Sequence, residues 1–216
     1  TTWCGWGIAR AAMQELSAQF GSIDIYLFDQ LLRGRITPPM RVVDAGCGSG
    51  RNLHYLMRAG FEVAAVDAQP EAVAATRQLA ARLAPALPAG DFRVEPVEAM
   101  SFPDHDADAV LSIAVLHFAR DDAQFGATLR EMWRVLSPGG LLFCRLASDI
   151  GMERRVQPLG GRRFHLPDGS ERYLVNEAML LEWTHRLGGQ LLDPLKTTVV
   201  QHQRCMTTWV VQKPPA

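Results

Sequence analysis

The residues best placed to do chemistry begin at Asp44-Ala45-Gly46-Cys47-Gly48-Ser49-Gly50, where an apolar run ends in an acid and passes into three glycines at alternate positions. A glycine turn of this kind brings backbone close to a ligand. A phosphate-cradling P-loop needs G-x-x-x-x-G-K-[ST], and there is no lysine here. The dinucleotide pattern G-x-G-x-x-G matches at Gly46 and Gly48 but meets Arg51 at its third glycine. Asp44 is also badly placed beside a pyrophosphate, which favours a helix N-terminus free of competing anions. An acid at that point suits a cationic ligand. A second acid, Asp67, closes another apolar run about 20 residues past the turn, the spacing of a strand–helix–strand unit.

Other side chains with chemical capacity lie further along. His117 follows an apolar segment and could act as a base or touch a substrate. Arg145 interrupts the apolar run Leu141–Leu146, and a buried arginine meets an acid or reaches into a pocket. Tyr26 and Asp29 are three apart on one helical face. Arg154, Arg155, Arg162, Arg163 and Arg172 make an arginine-rich stretch, which could bind an anion or form a solvated, pairing face.

Elements must hold these groups. Helical spacing is expected over Ala9–Phe20 and Ile23–Leu32, stopped by Gly34 and Pro38-Pro39. Strands then alternate with helices. Val42–Asp44, Phe61–Asp67, Phe92–Glu95, Ala107–Ile113 and Leu141–Leu146 read as strands. Asn52–Arg58, Pro70–Leu83, with Pro70 at a first helical position, and Asp121–Leu136 read as helices. This alternation implies a parallel sheet covered on both faces. After Ala147 the rhythm changes to a hairpin around Asp168-Gly169, a helix over Glu177–Leu187, and final strands over Leu191–Gln201 and Met206–Gln212.

The 216 residues suffice for one large α/β domain, and 48% hydrophobic with 21% charged content is ordinary for a globular enzyme. A net charge of -1 offers no footprint for nucleic acid. Cys4, Cys47, Cys144 and Cys205 are scattered, so neither disulfides nor a zinc site is expected and a reducing cytoplasm fits. No apolar run is long enough for a membrane span. The chain starts at Thr1 rather than methionine, which leaves a preceding segment open.

The ordered set resembles the class I S-adenosylmethionine-dependent methyltransferase family. The glycine turn looks like its first motif, and Asp67 like the acid that takes both ribose hydroxyls. Glu95–Pro103 looks like the loop over the adenine, Asp108–Phe118 like the fourth strand and its loop, and Trp133–Gly140 like the turn before the fifth. Family members often carry Asp where this chain has Pro96, so the adenine contact would pass to the Val97 backbone or the Glu98 side chain. Gly50-Arg51-Asn52 with Gly60–Val63 is also similar to small tellurite-resistance methyltransferases.

The resemblance implies a Rossmann-like seven-stranded sheet, mostly parallel with one antiparallel strand, helices on both faces and an N-terminal helical cap. In one domain, 1–39 would be the cap, 40–148 the cofactor-binding core, 149–175 an insert, and 176–216 the last helix and strand pair. It implies S-adenosylmethionine held by Asp44, Gly46, Cys47, Gly48, Asn52, Asp67, Ala68, Val97, Glu98 and Ile113. Methyl would pass to a small-molecule acceptor, with His117, Arg145 and Tyr26 as candidate acceptor-side residues and Trp3 and Trp6 in the cap. No metal, nucleic acid or membrane partner is expected, and the oligomeric state is open. The rivals are a non-catalytic or regulatory protein that binds the same nucleoside and an NAD-dependent oxidoreductase.

Overall fold

The computed structural model describes residues 15–216. Its elements are α1 (Ile25–Leu32), β1 (Arg41–Ala45), α2 (His54–Arg58), β2 (Glu62–Asp67), α3 (Pro70–Leu83), β3 (Phe92–Val94) and β4 (Ala107–Ile113). There follow α4 (Asp122–Val135), β5 (Leu136–Ala147), β6 (Gln157–Gly160), β7 (Arg163–His165), β8 (Glu171–Tyr173), α5 (Glu177–Arg186), β9 (Gln190–Leu191), β10 (Lys196–Val200) and β11 (Arg204–Gln212). Trp3, Trp6 and most of the helix expected over Ala9–Phe20 lie outside the described residues. Residues 15–20 are helical.

The main sheet runs β10-β11-β5-β4-β1-β2-β3, with β9 attached to β11. Strands β1 to β5 are parallel, and β11 is antiparallel to both β5 and β10. The sheet grows outward from β1 through β2 to β3, then returns to place β4 on the other side of β1. That reversal opens a crevice at the carboxyl ends of β1 and β4.

Side-chain alternation divides the core in two. Val43, Val110, Leu142 and Trp209 face α4 and α5, whose Phe125, Leu129, Met132 and Leu180 cover them. Val42, Leu111, Phe143 and Val210 point the other way and meet Leu27 of α1, Leu56 of α2 and Val73 of α3. Trp209 is fully buried, and its indole N–H donates to Thr184 Oγ1 at 3.0 Å, so a large apolar body is enclosed without an orphaned donor. No described helix is long and apolar enough to cross a membrane.

The boundaries depart from expectation in three places. Strand β5 begins at Leu136, directly at the end of α4, with its register to β4 shifted between Ala107 and Ala109. The run expected as one strand over Leu191–Gln201 is broken between β9 and β10. There Pro194 cannot donate to a ladder, and Asp193 is drawn off by Arg33 and Arg35 at 3.2 and 2.6 Å. Helix α2 starts only at His54, after a turn through Asn52 and Leu53.

Residues 149–175 carry a second, three-stranded sheet, β6-β7-β8. Its β7–β8 hairpin turns at Asp168-Gly169, where Asp168 Oδ1 accepts from the Ser170 N–H and hydroxyl at 3.0 and 2.6 Å. Leu166 and Leu174 pack this piece against Ala147 at the end of β5.

Candidate active site

The glycine turn is fixed from β2 and α3. The N–H groups of Gly46 and Cys47 both donate to Val66 O, at 2.9 and 3.0 Å. The Gly48 N–H donates to Asp67 Oδ2 at 2.9 Å, and the Thr76 hydroxyl donates to Gly48 O at 2.9 Å. Asp67 Oδ1 accepts from the Gln69 N–H at 2.9 Å, so Asp67 ties the turn to the start of α3. Gly46 has φ 94°, and a Cβ there would lie 2.4 Å from Val115 Cγ2. Only glycine allows the loop after β4 to close so tightly on the turn.

Beside the turn is a cavity of about 480 Å³, lined by Gly46, Asp67, Ala68, Gln69, Pro96, Val97 and Glu98 on one side. Its opposite side comes from the loop after β4, Ala114 to Ala119, and from Gln124 and Thr128 of α4. Gln124 Nε2 donates to Glu98 Oε1 at 2.8 Å and so fixes that carboxylate.

Behind the turn, Asp44 is 1% exposed, and neither carboxylate oxygen has a partner among the described residues. Burial pushes its pKa up to about 7; Arg51 opposes the shift and Asp67 adds to it. Asp44 and Asp67 thus feel each other's charge. An orphaned acid beside a second acid makes this end of the molecule receptive to a cation.

A second cavity, of about 390 Å³, shares Ala114 and Phe118 with the first. Ala114 has φ 63°, an uncommon conformation for a residue with a Cβ, at the junction of the two. Four separate parts of the chain supply the walls: His117 after β4, Arg145 and Ala147 of β5, Leu166 to Arg172 of the insert, and Thr198 to Met206 of the last hairpin. That hairpin turns through Gln201 and His202, at φ 47° and 55°, with the Gln203 N–H donating to Val200 O at 2.9 Å.

Arg145 both meets an acid and lines this cavity. Its Nη1 donates to Asp24 Oδ2 at 3.0 Å, and its guanidinium lies 5.1 Å from the centre of the Tyr26 ring. Its buried Nε has no partner among the described residues. Asp24 caps α1 by accepting from the Tyr26 N–H at 3.0 Å, and its own N–H donates to Asn52 Oδ1 at 3.0 Å. The Tyr26 hydroxyl is 2.6 Å from Thr198 Oγ1. One buried acid therefore joins α1, the glycine turn and Arg145.

His117 is buried, and its Nδ1 accepts the Ala147 N–H at 3.3 Å. Nδ1 must then be the unprotonated nitrogen, and Nε2 carries the hydrogen. Burial, helped by Arg172, pulls its pKa down to about 4, so the ring is neutral near pH 7. A neutral Nε2–H donates and cannot take a proton there.

Of the residues expected at the cofactor, Gly46, Asp67, Ala68, Val97 and Glu98 share the first cavity's wall. Asp44, Cys47, Gly48, Asn52 and Ile113 do not lie on that wall. The Cys47 thiol is turned to Thr76 Oγ1 at 3.6 Å, Asn52 holds Asp24, and Gly48 holds Asp67. Tyr26 does not line the second cavity but underlies Arg145. The arginine-rich stretch divides. Arg162 pairs with Asp149 at 2.8 Å and Arg163 with Glu171 at 3.4 Å, whereas Arg172 lies on the second cavity over Phe118. Gln69, Gln124, Asp24 and Arg204 are additions from the structure. Only Asp24, a polar residue opening an apolar helical run, carried a local signal, that of a helix cap.

A family model described as a methyltransferase domain matches residues 43–144. A ubiquinone biosynthesis O-methyltransferase of Methylocella silvestris is 35% identical over 104 residues, 48% of this chain and 38% of that protein. One from Xanthomonas axonopodis pv. citri is 29% identical over 158 residues, 71% of this chain and 64% of that protein. The chain thus spans less than two thirds of the length of these relatives. Among solved structures, the Burkholderia thailandensis 1,6-didemethyltoxoflavin-N1-methyltransferase superposes with a TM-score of 0.65 at 20% identity, covering 97% of this chain and 84% of that one. That crystal contains 1,6-didemethyltoxoflavin and S-adenosylhomocysteine; the likeness to this chain is one of fold. The matched methyltransferase domain runs from β1 into β5 with the glycine turn at its head, and over that stretch the chain is similar to S-adenosylmethionine-dependent methyltransferases.

Proposed function

We propose that the chain transfers a methyl group from S-adenosylmethionine to a small-molecule acceptor. The observation that carries this is the acidic first cavity, lined by Asp67 and Glu98 and backed by the orphaned Asp44, opening onto a second cavity at Ala114. S-adenosylmethionine is cationic at its sulfonium and ammonium and offers a ribose diol, so acids and a close-packed glycine turn fit it. In this reading Asp67 takes the ribose hydroxyls and gives up its bond from the Gln69 or Gly48 N–H. Val97 and Glu98 flank the adenine, with Gln124 fixing Glu98, and Gly46 lets the backbone approach. When bound, the cofactor supplies a methyl group on a good leaving thioether.

The residues around the junction then have mainly to align an acceptor atom with that methyl, because proximity and orientation dominate such a displacement. Phe118 and Ala114 form the junction. His117 directs an N–H into the acceptor cavity and holds an incoming atom rather than deprotonating it. The acceptor must therefore arrive already nucleophilic.

Calorimetry with S-adenosylhomocysteine tests the donor half. Wild type should bind, and Asp67→Ala should bind at least about tenfold more weakly, since hydrogen bonds to a charged group contribute roughly 1.5–3 kcal/mol. A wild-type protein that ignores S-adenosylhomocysteine overturns the proposal. Binding without any S-adenosylhomocysteine production from S-adenosylmethionine across broad acceptor pools replaces it with a non-catalytic nucleoside-binding role.

A further inference from the structure

We propose that the second cavity selects a small organic anion, an apolar body carrying a carboxylate or a similarly charged oxygen group; this rests on the methyl-transfer reading above. The charge of the cavity's wall points there. Arg145, Arg172 and Arg204 all line it, against a single wall carboxylate, Asp168, which is bonded to Ser170 and lies in the field of Arg172 and Arg204, so three positive groups face one negative.

Two of the three arginines have no carboxylate partner among the described residues. Arg172 makes one hydrogen bond, Nη1 to its neighbour's carbonyl, Glu171 O, at 2.8 Å. The Arg204 side chain makes none among the described residues. The third, Arg145, is paired through Nη1 with Asp24 but keeps its buried Nε unpartnered. That Nε is closed off from the cavity, so what Arg145 offers a ligand there is the positive charge of its guanidinium. Guanidinium forks also match carboxylate geometry better than any neutral acceptor.

The rest of the wall sets the body of the ligand. Phe118 is 58% exposed and lies flat enough under Arg172 for a 4.9 Å cation–π contact. Leu166, Ala147, Val200 and Met206 add apolar surface, and His117 adds one N–H donor. An apolar ring or chain on these residues, with its charge toward Arg172 and Arg204, leaves its nucleophilic atom facing Ala114. The same positive field favours the ionised form of an acidic nucleophile, so a phenol or thiol on such a ligand needs no protein base.

The test is titration of S-adenosylhomocysteine-saturated protein with benzoate, salicylate, 4-hydroxybenzoate and phenyl phosphate, against benzamide, benzyl alcohol and benzylamine, followed by melting temperature and calorimetry. The anions should bind at least about tenfold more tightly than the neutral and cationic compounds. Arg204→Gln and Arg172→Gln should each weaken the anions about fivefold or more and leave S-adenosylhomocysteine binding unchanged. Arg154→Gln, in the exposed turn of the insert, should change neither. Neutral compounds binding as well as anions, cavity variants binding like wild type, equal weakening by Arg154→Gln, or no binding of any compound would each overturn the assignment of an anion. Loss of S-adenosylhomocysteine binding by wild type would instead overturn the donor reading. Anions can still be titrated against the protein alone in that case.

Discussion

The two cavities meet at Ala114 and Phe118 yet are opposite in charge and in construction. The first is acidic, with Asp67 and Glu98 on its wall and Asp44 behind it. The second carries three arginines. The first is built almost wholly from residues next to strand ends in one contiguous half of the chain. The second joins the β4 loop, β5, the insert and the last hairpin. The difference teaches that the donor side is a property of the sheet's reversal point, and the acceptor side a property of what the rest of the chain brings over it. A cation on one side and an anion on the other would be drawn toward the same junction.

The largest expected effect breaks the first cavity alone. Gly46→Ala puts a methyl 2.4 Å from Val115 Cγ2 on a backbone at φ 94°. The strain should cost about 1–3 kcal/mol in stability and weaken S-adenosylhomocysteine binding more than about tenfold. Adding Val115→Ala removes the clash but not the dihedral strain, so the double variant should recover part of the stability. Calorimetry and thermal unfolding of both variants against wild type check this; a Gly46→Ala protein that binds normally would show that the close approach of the β4 loop is dispensable.

Arg145→Met cuts the link between α1 and the second cavity. It strands the Asp24 carboxylate, which is 5% exposed, without its ion pair. Removing one partner of a buried pair costs 3–5 kcal/mol, but Arg145 is 22% exposed, so about 2 kcal/mol is expected in urea unfolding. Because Asp24 also holds Asn52, this variant measures how far the cavities are independent. If they are, S-adenosylhomocysteine affinity changes by less than about threefold while anion binding falls.

The contrast also explains what could be read from residue order. The first cavity was legible because one glycine turn and one strand–helix–strand spacing fix Gly46 and Asp67 relative to each other whatever the rest of the chain does. The parallel run of strands followed from alternation, and the β7–β8 hairpin from Asp168-Gly169, whereas the order of the strands came only from the structure. The local pattern did not show that Cys47 and Asn52 turn away from the cavity to Thr76 and Asp24, because that depends on where α1 and α3 pack. Arg172 and Arg204 could not be brought together by any periodicity. They belong to two hairpins brought together by packing that includes Ala147, Leu166 and Met206.

Asp44 gives a prediction in pH. An acid whose pKa in the folded chain lies above its ordinary value takes up a proton on folding. The ligand-free protein therefore loses stability as pH rises from about 4 through about 7. A cationic ligand favours the ionised form, so binding runs the other way. S-adenosylhomocysteine, whose ammonium is charged, should bind up to about tenfold more tightly at pH 8 than at pH 6. Asp44→Asn should flatten that dependence, weaken binding at pH 8, and raise the ligand-free melting temperature there. A wild-type affinity that is flat across this range would mean that the charge of Asp44 does not reach the first cavity.

The smallest effect is expected at His117, and its smallness is informative. With Nδ1 accepting the Ala147 N–H and a pKa near 4, the ring does not change charge between pH 6 and 8. Removal of a positioned general base usually lowers turnover by 10²-fold or more and removes a limb of the pH profile. His117→Gln keeps an amide donor, so turnover should fall by less than about tenfold with the profile unchanged between pH 6 and 8. A histidine whose folded pKa is depressed costs stability as pH falls from about 6.5 toward 4, so His117→Gln should also lose less melting temperature than wild type between pH 7 and pH 5. A loss of 100-fold or more with the limb gone would make His117 the base. The second cavity would then no longer need an acceptor that arrives as an anion, and its arginines would serve binding alone.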